Sequence, residues 1–581
     1  MFKLLKHLNK RDYAFALISV AFIVLQVFLD LRLPDYMSNI TVLVNSEGSN
    51  ISSIIVQGVY MLLCALGSGL ASVVVGYFVA KIGGDLAYNL RAKVYGKIDE
   101  FSLKEIKSFS IASLITRTTN DITQIQQTVS MGLQALIKAP ILAIWAVSKI
   151  LGKSLEFSFV TATAVGILLV VVLILTVVVL PKFKVMQKNI DGLNKILREN
   201  LTGARVVKAF NAENYQEEKF SKSNKELTGT YLFIDKVMGI MSPVMTTVMS
   251  GMSLAIYWIG AFLIENSVFN VKLSIFSDMV IFMSYSMQVI MAFVLLTIIF
   301  IMLPRAVVSA KRINQVLDTK LDIIEGDFNG QTDLTGEVEF KNVGFKYPDA
   351  DEYVLKNISF KAKKGETVAF IGSTGSGKST LVNLIPRFYD ATEGEILVDG
   401  VDVKKYTFKS LFNKIGYVSQ TAVMFSGTVK SNLEMNENEI PQEDLTKALQ
   451  ISQSENFVSK MENGIDSAMV QGGKNVSGGQ KQRLSIARAI AKNPEIFIFD
   501  DTFSALDYKT DKNLRGSLNS ELKDSTKLIV AQRIGTIINA DKIIVLNDGE
   551  MVGEGTHEEL MKNCEVYKEI ALSQLTEEEL A

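Results

Sequence analysis

Apolar residues are not spread evenly along this chain. They fall into six long runs, near residues 14–36, 53–80, 129–151, 157–180, 238–264 and 277–302. Each approaches or exceeds the roughly 20 apolar residues that a helix needs to cross a bilayer. A single run of this kind could be a buried soluble helix; six in succession predict membrane spans. The third is the least regular, because Lys138 and Pro140 interrupt it. Beyond Arg312 the pattern shifts to the short strand-like and helical alternations of a soluble α/β domain. The chain therefore divides into a membrane domain over 1–312, a linker over 313–335 rich in Asp, Gly and Asn, and a second domain over 336–581.

The polar positions between the runs set orientation. The stretch 37–52 carries no Lys or Arg, and the other short connections carry little beyond Lys149, Lys153 and Lys272. Segment 81–120 carries Lys81, Arg91, Lys93, Lys97, Lys104, Lys107 and Arg117, and segment 182–236 carries eleven such residues. Positive charge marks the cytoplasmic side, so both long segments, both termini and the second domain are expected there. The first run follows Lys3, Lys6, Lys10 and Arg11 and has no small-residue cleavage site, which predicts a retained span behind a short amphipathic lead-in. The two basic segments are too long for loops and predict helices that extend the spans into the cytosol. Their candidate tips are residues 109–121 and 211–220.

Two features of the membrane half are candidates for a substrate path. Asp30 and Arg32 lie within the first run, just before Pro34. Ionisable groups inside a membrane usually face a cavity or a partner; near the outer interface they could instead satisfy each other. Met238, Met241, Met245, Met249 and Met252 form one helical stripe, and Met279, Met283, Met287 and Met291 another. Flexible, polarizable methionine suits a surface for varied apolar ligands, although packing between helices or against lipid explains a single methionine equally well.

Composition adds mainly exclusions. A formal net charge of −1 gives no general attraction to nucleic acid. Two cysteines, Cys64 and Cys564, and two histidines, His7 and His557, lack motif partners, which argues against a disulfide or a metal centre built from them.

The chemistry is concentrated in the second domain. Strand-like Thr367–Ile371 leads into Gly372, Ser373, Thr374, Gly375, Ser376, Gly377, Lys378, Ser379 and Thr380, which open a helix. Glycines let backbone N–H groups close around phosphate oxygens; Lys378 suits β/γ charge and the Ser379 hydroxyl suits Mg²⁺. Downstream, Ile496–Phe499 reads as a buried strand ending in Asp500 and Asp501, where a nucleotide-bound Mg²⁺ would be held by Asp500. Between them Ser477, Gly478, Gly479 and Gln480 form a second glycine turn at a helix start.

This order of motifs resembles the exporter-type ATP-binding-cassette transporters along essentially the whole chain. The resemblance implies six long spans with cytoplasmic extensions, followed by an α/β P-loop domain that binds ATP and Mg²⁺. It also implies a dimer, because in that family the Ser-Gly-Gly-Gln signature of one chain completes the ATP site of the other. By the same resemblance Tyr347 stacks on adenine, Gln420 senses Mg²⁺ and the membrane helices, and Asp507 belongs to the loop crossing the dimer interface. Residues 109–121 and 211–220 correspond to the coupling regions that dock on the cassettes.

Two positions depart from the family pattern. Asp501 stands where a catalytic glutamate is expected, and Gln532 where a histidine contacts the γ-phosphate. Both departures, with an intact phosphate loop, resemble the degenerate subunit of heterodimeric bacterial exporters. Segment 467–473 also lacks the acidic residues common there in homodimeric relatives. The expectation is a plasma-membrane subunit with weak hydrolysis at its own site and a non-identical partner half-transporter, exporting hydrophobic drugs or lipids. A peptide exporter, a metal-chelate importer on the same fold and a non-transporting sensor are the alternatives.

Overall fold

The computed structural model describes residues 2–45, 50–150, 155–348, 350–435 and 439–575. Lys153 and the predicted span end at 151 lie outside them. The chain forms two compact units, Met1–Asp99 with Ala112–Thr319, and Glu100–Ile111 with Lys320–Ala581.

Along the first part of the chain run α1 (Lys10–Asn45), α2 (Ile51–Asp99), α3 (Leu103–Phe109), α4 (Ile111–Thr118), α5 (Asn120–Ile150), α6 (Leu155–Thr202), α7 (Ala204–Ala209), α8 (Glu213–Gly239), α9 (Met241–Glu265) and α10 (Phe269–Asp318). Six helical stretches among the described residues are long and apolar enough to cross a membrane. The 49 residues of α2 rise about 74 Å, well beyond a hydrocarbon core of about 30 Å. The 48 of α6 and the 50 of α10 do the same, so these helices project far past the bilayer. Pro140 lies inside α5, and the helix runs through it. Inside a membrane bundle the freed backbone group finds other partners, which makes proline tolerable there.

The membrane core is built by Ile23, Val27 and Leu31 of α1, Val75 and Val79 of α2, Ala139, Leu142 and Ala146 of α5, and Phe282, Tyr285 and Val289 of α10. Small residues bring backbones together, as membrane helices require. A Cβ on Gly83 of α2 would lie 2.1 Å from the Ser130 hydroxyl of α5, and one on Gly260 of α9 would lie 2.2 Å from the sulfur of Met279. Met252 and Met279 are accordingly buried, whereas Met287 and Met291 are exposed. The second stripe thus splits between packing and surface, while the other methionines of the first are half-buried.

The predicted tip at 109–121 divides in two. Ser110, at φ 62, breaks the chain between α3 and α4. Residues 100–111 belong to the ATPase-domain unit, while Arg117 donates to the Arg312 carbonyl at 2.7 Å and Ser309 to Asp121 at 2.9 Å within the membrane unit. The second bend comprises α7 and the turn at Asn211, φ 49, so most of 211–220 forms the first turns of α8.

The second unit contains β1 (Val338–Phe345), β2 (Leu355–Ala362), β3 (Thr367–Gly372), β4 (Glu393–Val398), β5 (Val401–Asp402), β6 (Ile415–Val418), β7 (Ile496–Asp500), β8 (Thr526–Val530), β9 (Lys542–Asn547) and β10 (Glu550–Gly555). One sheet has the order β2-β1-β4-β5, and the larger one β10-β9-β3-β8-β7-β6. In the larger sheet β3, β6, β7, β8 and β9 are parallel. Its parallel strands are buried on both faces, and the antiparallel edge strand β10 is not. Val368 and Phe370 enter one core and Ala369 and Ile371 the other, as the period of two demands. Register matters for chemistry: Val530 pairs with both Phe370 and Asp500. The carboxyl ends of β3, β8 and β7 therefore align, at the edge where parallel sheets bind ligands.

Candidate functional site

The phosphate loop leaves β3 and enters α11 (Lys378–Leu384). Two glycines make its path possible. Gly375 and Gly377 have φ +89 and +94, and a Cβ on Gly377 would lie 2.7 Å from Leu355. The Lys378 ammonium turns back into the loop, donating to the Gly372 carbonyl at 2.9 Å and the Ser373 carbonyl at 2.7 Å. Burial pushes its pKa below the usual lysine range, against the pull of Asp501 and Asp500. Such a cation gains from a phosphate placed beside it.

Ser379 donates to Asp500 at 2.6 Å. Burial pushes the Asp500 carboxyl upward, opposed by the Ser379 hydroxyl; Asp501 adds to the rise, and Tyr417 and Lys378 oppose it. A hydroxyl and a carboxylate side by side are the oxygen donors that Mg²⁺ takes. The residues present fit MgATP. Tyr417, which also donates to Asn383 at 2.8 Å, was not singled out from sequence, where it reads as a core aromatic.

Asp501 follows β7 in the left-handed region, φ 47, ψ 33, which Asp tolerates better than most residues. One of its oxygens, Oδ2, accepts the Gln532 amide at 2.7 Å and the Gln420 amide at 3.1 Å. The structure thus brings both departures from the family pattern together with Gln420. An oxygen offers about two lone-pair sites, so this one is fully engaged by side chains. Gln574 donates to the Gln532 carbonyl at 2.8 Å and accepts the Ile534 N–H at 2.8 Å, fixing the segment after β8. Nothing local in the sequence marks Gln574.

Tyr347 lies edge-on to Phe345 and Tyr389, with centroids at 5.0 and 5.3 Å. Its hydroxyl pairs with Thr380 at 3.0 Å, which ties the aromatic to the phosphate loop. Lys107 of α3 stands 5.5 Å from the Tyr347 ring. Glu105, in a capping box with Ser102, holds α3 in this unit by accepting the Asp322 N–H at 3.0 Å.

The signature residues sit elsewhere in the domain. Ser477 caps α12 (Gly478–Ala491). Its N–H donates to Gln480 Oε1 at 2.8 Å, and its Oγ accepts the Gln480 N–H at 3.3 Å. Ser477 and Gly478 are exposed, and a Cβ on Gly478 would meet nothing within 4 Å. The glycine therefore leaves open surface at the helix start. Gln482, buried one turn later, donates to the Ser419 carbonyl at 3.1 Å, next to Gln420. Asp507 is exposed and caps α13 (Tyr508–Glu521).

In the membrane unit Asp30 pairs with Lys138 at 3.4 Å and accepts the Ser68 hydroxyl. Asp35 takes Lys149 at 2.8 Å and the Tyr285 hydroxyl at 2.7 Å. Arg32 lies over the Phe28 ring at 5.1 Å. Met249 and Met287 line a shallow groove of about 470 Å³.

The family model described as ABC transporter matches residues 355–504, and that described as ABC transporter transmembrane region matches 16–293. An uncharacterised ABC transporter ATP-binding protein of Mycobacterium tuberculosis is 38% identical over 517 residues, 88% of this chain and 86% of that protein. The chain belongs to the ABC transporter family. An ATP-dependent lipid A-core flippase of Syntrophus aciditrophicus is 32% identical over 501 residues, covering 84% of this chain and 80% of that protein. The solved structure of a bacterial Atm1-family ABC exporter with ATP bound shares the fold, with a TM-score of 0.77, 23% identity and 96% of both chains covered. This ABC half-transporter thus has a membrane domain of six apolar helices and one cytoplasmic ATPase domain.

Proposed function

We propose that this chain is one subunit of a heterodimeric ABC exporter for hydrophobic, lipid-like compounds, with a degenerate ATP site of its own. The observation that carries the reading is the Gln420–Asp501–Gln532 cluster. Asp501 is one methylene shorter than the glutamate of the family pattern. That shortens its reach toward an attacking water by about 1.5 Å, and misplacement by about 1 Å can cost roughly 100-fold. One of its two carboxylate oxygens, Oδ2, is held by two amides, which leaves Oδ1 to orient a water. Gln532 supplies a neutral donor where the pattern has an imidazole that can carry charge.

The binding parts are intact. Lys378, the loop backbone and Tyr347 would hold the triphosphate and base, and Ser379 and Asp500 would hold Mg²⁺. A bound Mg²⁺ would neutralise developing charge on the phosphates. The exposed Ser477–Gln480 turn is free to complete the site of a partner that retains the glutamate and histidine. The sequence similarity to a lipid A-core flippase and the exposed Met287 and Met291 support a lipid-like cargo.

The test is ATP turnover in lipid by the purified chain, alone and co-purified with a half-transporter that retains the glutamate and histidine. The alone state should turn over slowly and the pair at least tenfold faster. Vigorous hydrolysis by this chain alone would sink the degenerate-site reading.

A further inference from the structure

The membrane unit contains a cavity of about 680 Å³ along α5 and α10, within the size range of small-molecule sites. On α5 its lining runs from Thr128 to Lys138, which is about 15 Å of helix. That length is about half of a bilayer's hydrocarbon thickness, the depth of one leaflet. The walls are largely apolar, with Leu133, Leu136 and Leu295 among them; of the described lining residues Lys138 alone is charged.

Lys138 is also the loosely paired cation of its cluster. It stands 3.4 Å from Asp30, whereas Lys149 donates to Asp35 at 2.8 Å. Asp30 further accepts the Ser68 hydroxyl, so its capacity is shared. Three cations, Arg32, Lys138 and Lys149, accompany two carboxylates, Asp30 and Asp35. Among the described residues Arg32 has no carboxylate partner, and one positive charge is in excess. Charge held within an apolar span marks a ligand path by default. A positive amphiphile would face Lys138 directly and be repelled.

We propose that this cavity binds an acidic amphiphile, with a single apolar chain lying along α5 and the anionic head on Lys138. The proposal rests on the export reading above and narrows its cargo to acids. The same chemistry is offered by a free fatty-acid-like molecule and by an anionic bilayer lipid.

The test uses the full-length chain with its partner half-transporter in zwitterionic nanodiscs. The probes are cis-parinaric acid and its methyl ester. The acid should bind saturably and about tenfold tighter than the ester. Lys138→Gln should abolish that preference, and Lys138→Arg should keep it. Gly132→Phe is the second variant, because a Cβ there meets only Thr128 at 3.9 Å. It should fill the cavity and remove binding of both probes without lowering the melting temperature. Competition by added phosphatidylglycerol would assign the site to a bilayer lipid head; its absence would assign it to a free amphiphile. Equal binding of acid and ester, or acid binding unchanged in both Lys138→Gln and Gly132→Phe, would overturn the proposal. Specific binding without ATP-driven movement of the probe would leave this site standing and remove the export reading instead.

Discussion

The two ATP-handling faces of this domain are satisfied in opposite ways. At the phosphate loop, groups that should meet a nucleotide already meet each other: Lys378 its own loop carbonyls, Ser379 Asp500, and Asp501 two glutamines. At the signature, Ser477 and Gln480 close a capping box on themselves, and the glycine surface beside them stays open. A helix cap costs the site nothing, because it satisfies N–H groups that a helix start leaves orphaned. The engaged Asp501 oxygen has no such neutrality, since a water at Oδ2 competes with two amides and only Oδ1 is left beside it. One face is thus open, and the other is engaged within the chain itself.

Unequal lesions sharpen that contrast most. In the assembled pair, Gly478→Asp in this chain should lower ATP turnover by about 100-fold or more, the scale of losing a transition-state donor surface. Lys378→Ala in this chain should lower it by less than about tenfold. Equal losses would mean that both sites turn over alike. The next largest effect belongs to restoring this chain's own site. With the partner's phosphate loop disabled, Asp501→Glu with Gln532→His should raise residual turnover by up to about 100-fold; no rise would show that other groups set the asymmetry.

Smaller effects separate binding from chemistry. Tyr347→Ala should weaken ATP binding by about tenfold, the scale of one stacked base, as read by fluorescent-nucleotide titration. Tyr347→Phe loses only the Thr380 hydroxyl contact and should change it by about twofold. Last, Ser477→Ala removes the cap of α12 and should destabilise the domain by about 1 kcal/mol in denaturant unfolding. If Ser477→Ala leaves stability unchanged yet abolishes turnover, the residue acts on nucleotide alone.

Much of this was legible in sequence because it is local. The phosphate loop is one continuous segment between a strand and a helix, and the six spans are composition and length. The tie between Asp501, Gln532 and Gln420 was not legible, although each residue was singled out. It depends on the parallel register that aligns β7 with β8, and on loops about 80 residues apart. Gln574 and Gln482 carry no motif, and their contacts arise only from packing. The division of 109–121 between the two units was not legible, for a physical reason. The Glu105–Asp322 bond and the approach of Lys107 to Tyr347 tie residues 100–111 to the ATPase unit, and neither leaves a periodic trace. The methionine stripes show the converse limit: helical spacing put Met279 and Met287 on one line, but only the close approach at Gly260 decides which is packed.

The most direct measurement is vanadate trapping of the assembled pair with a photoreactive ATP analogue, scored for which polypeptide carries trapped nucleotide. An asymmetric pair predicts trapped label on the partner's phosphate loop and, on this chain, label that binds but does not depend on vanadate. Equal vanadate-dependent labelling of both chains would contradict it.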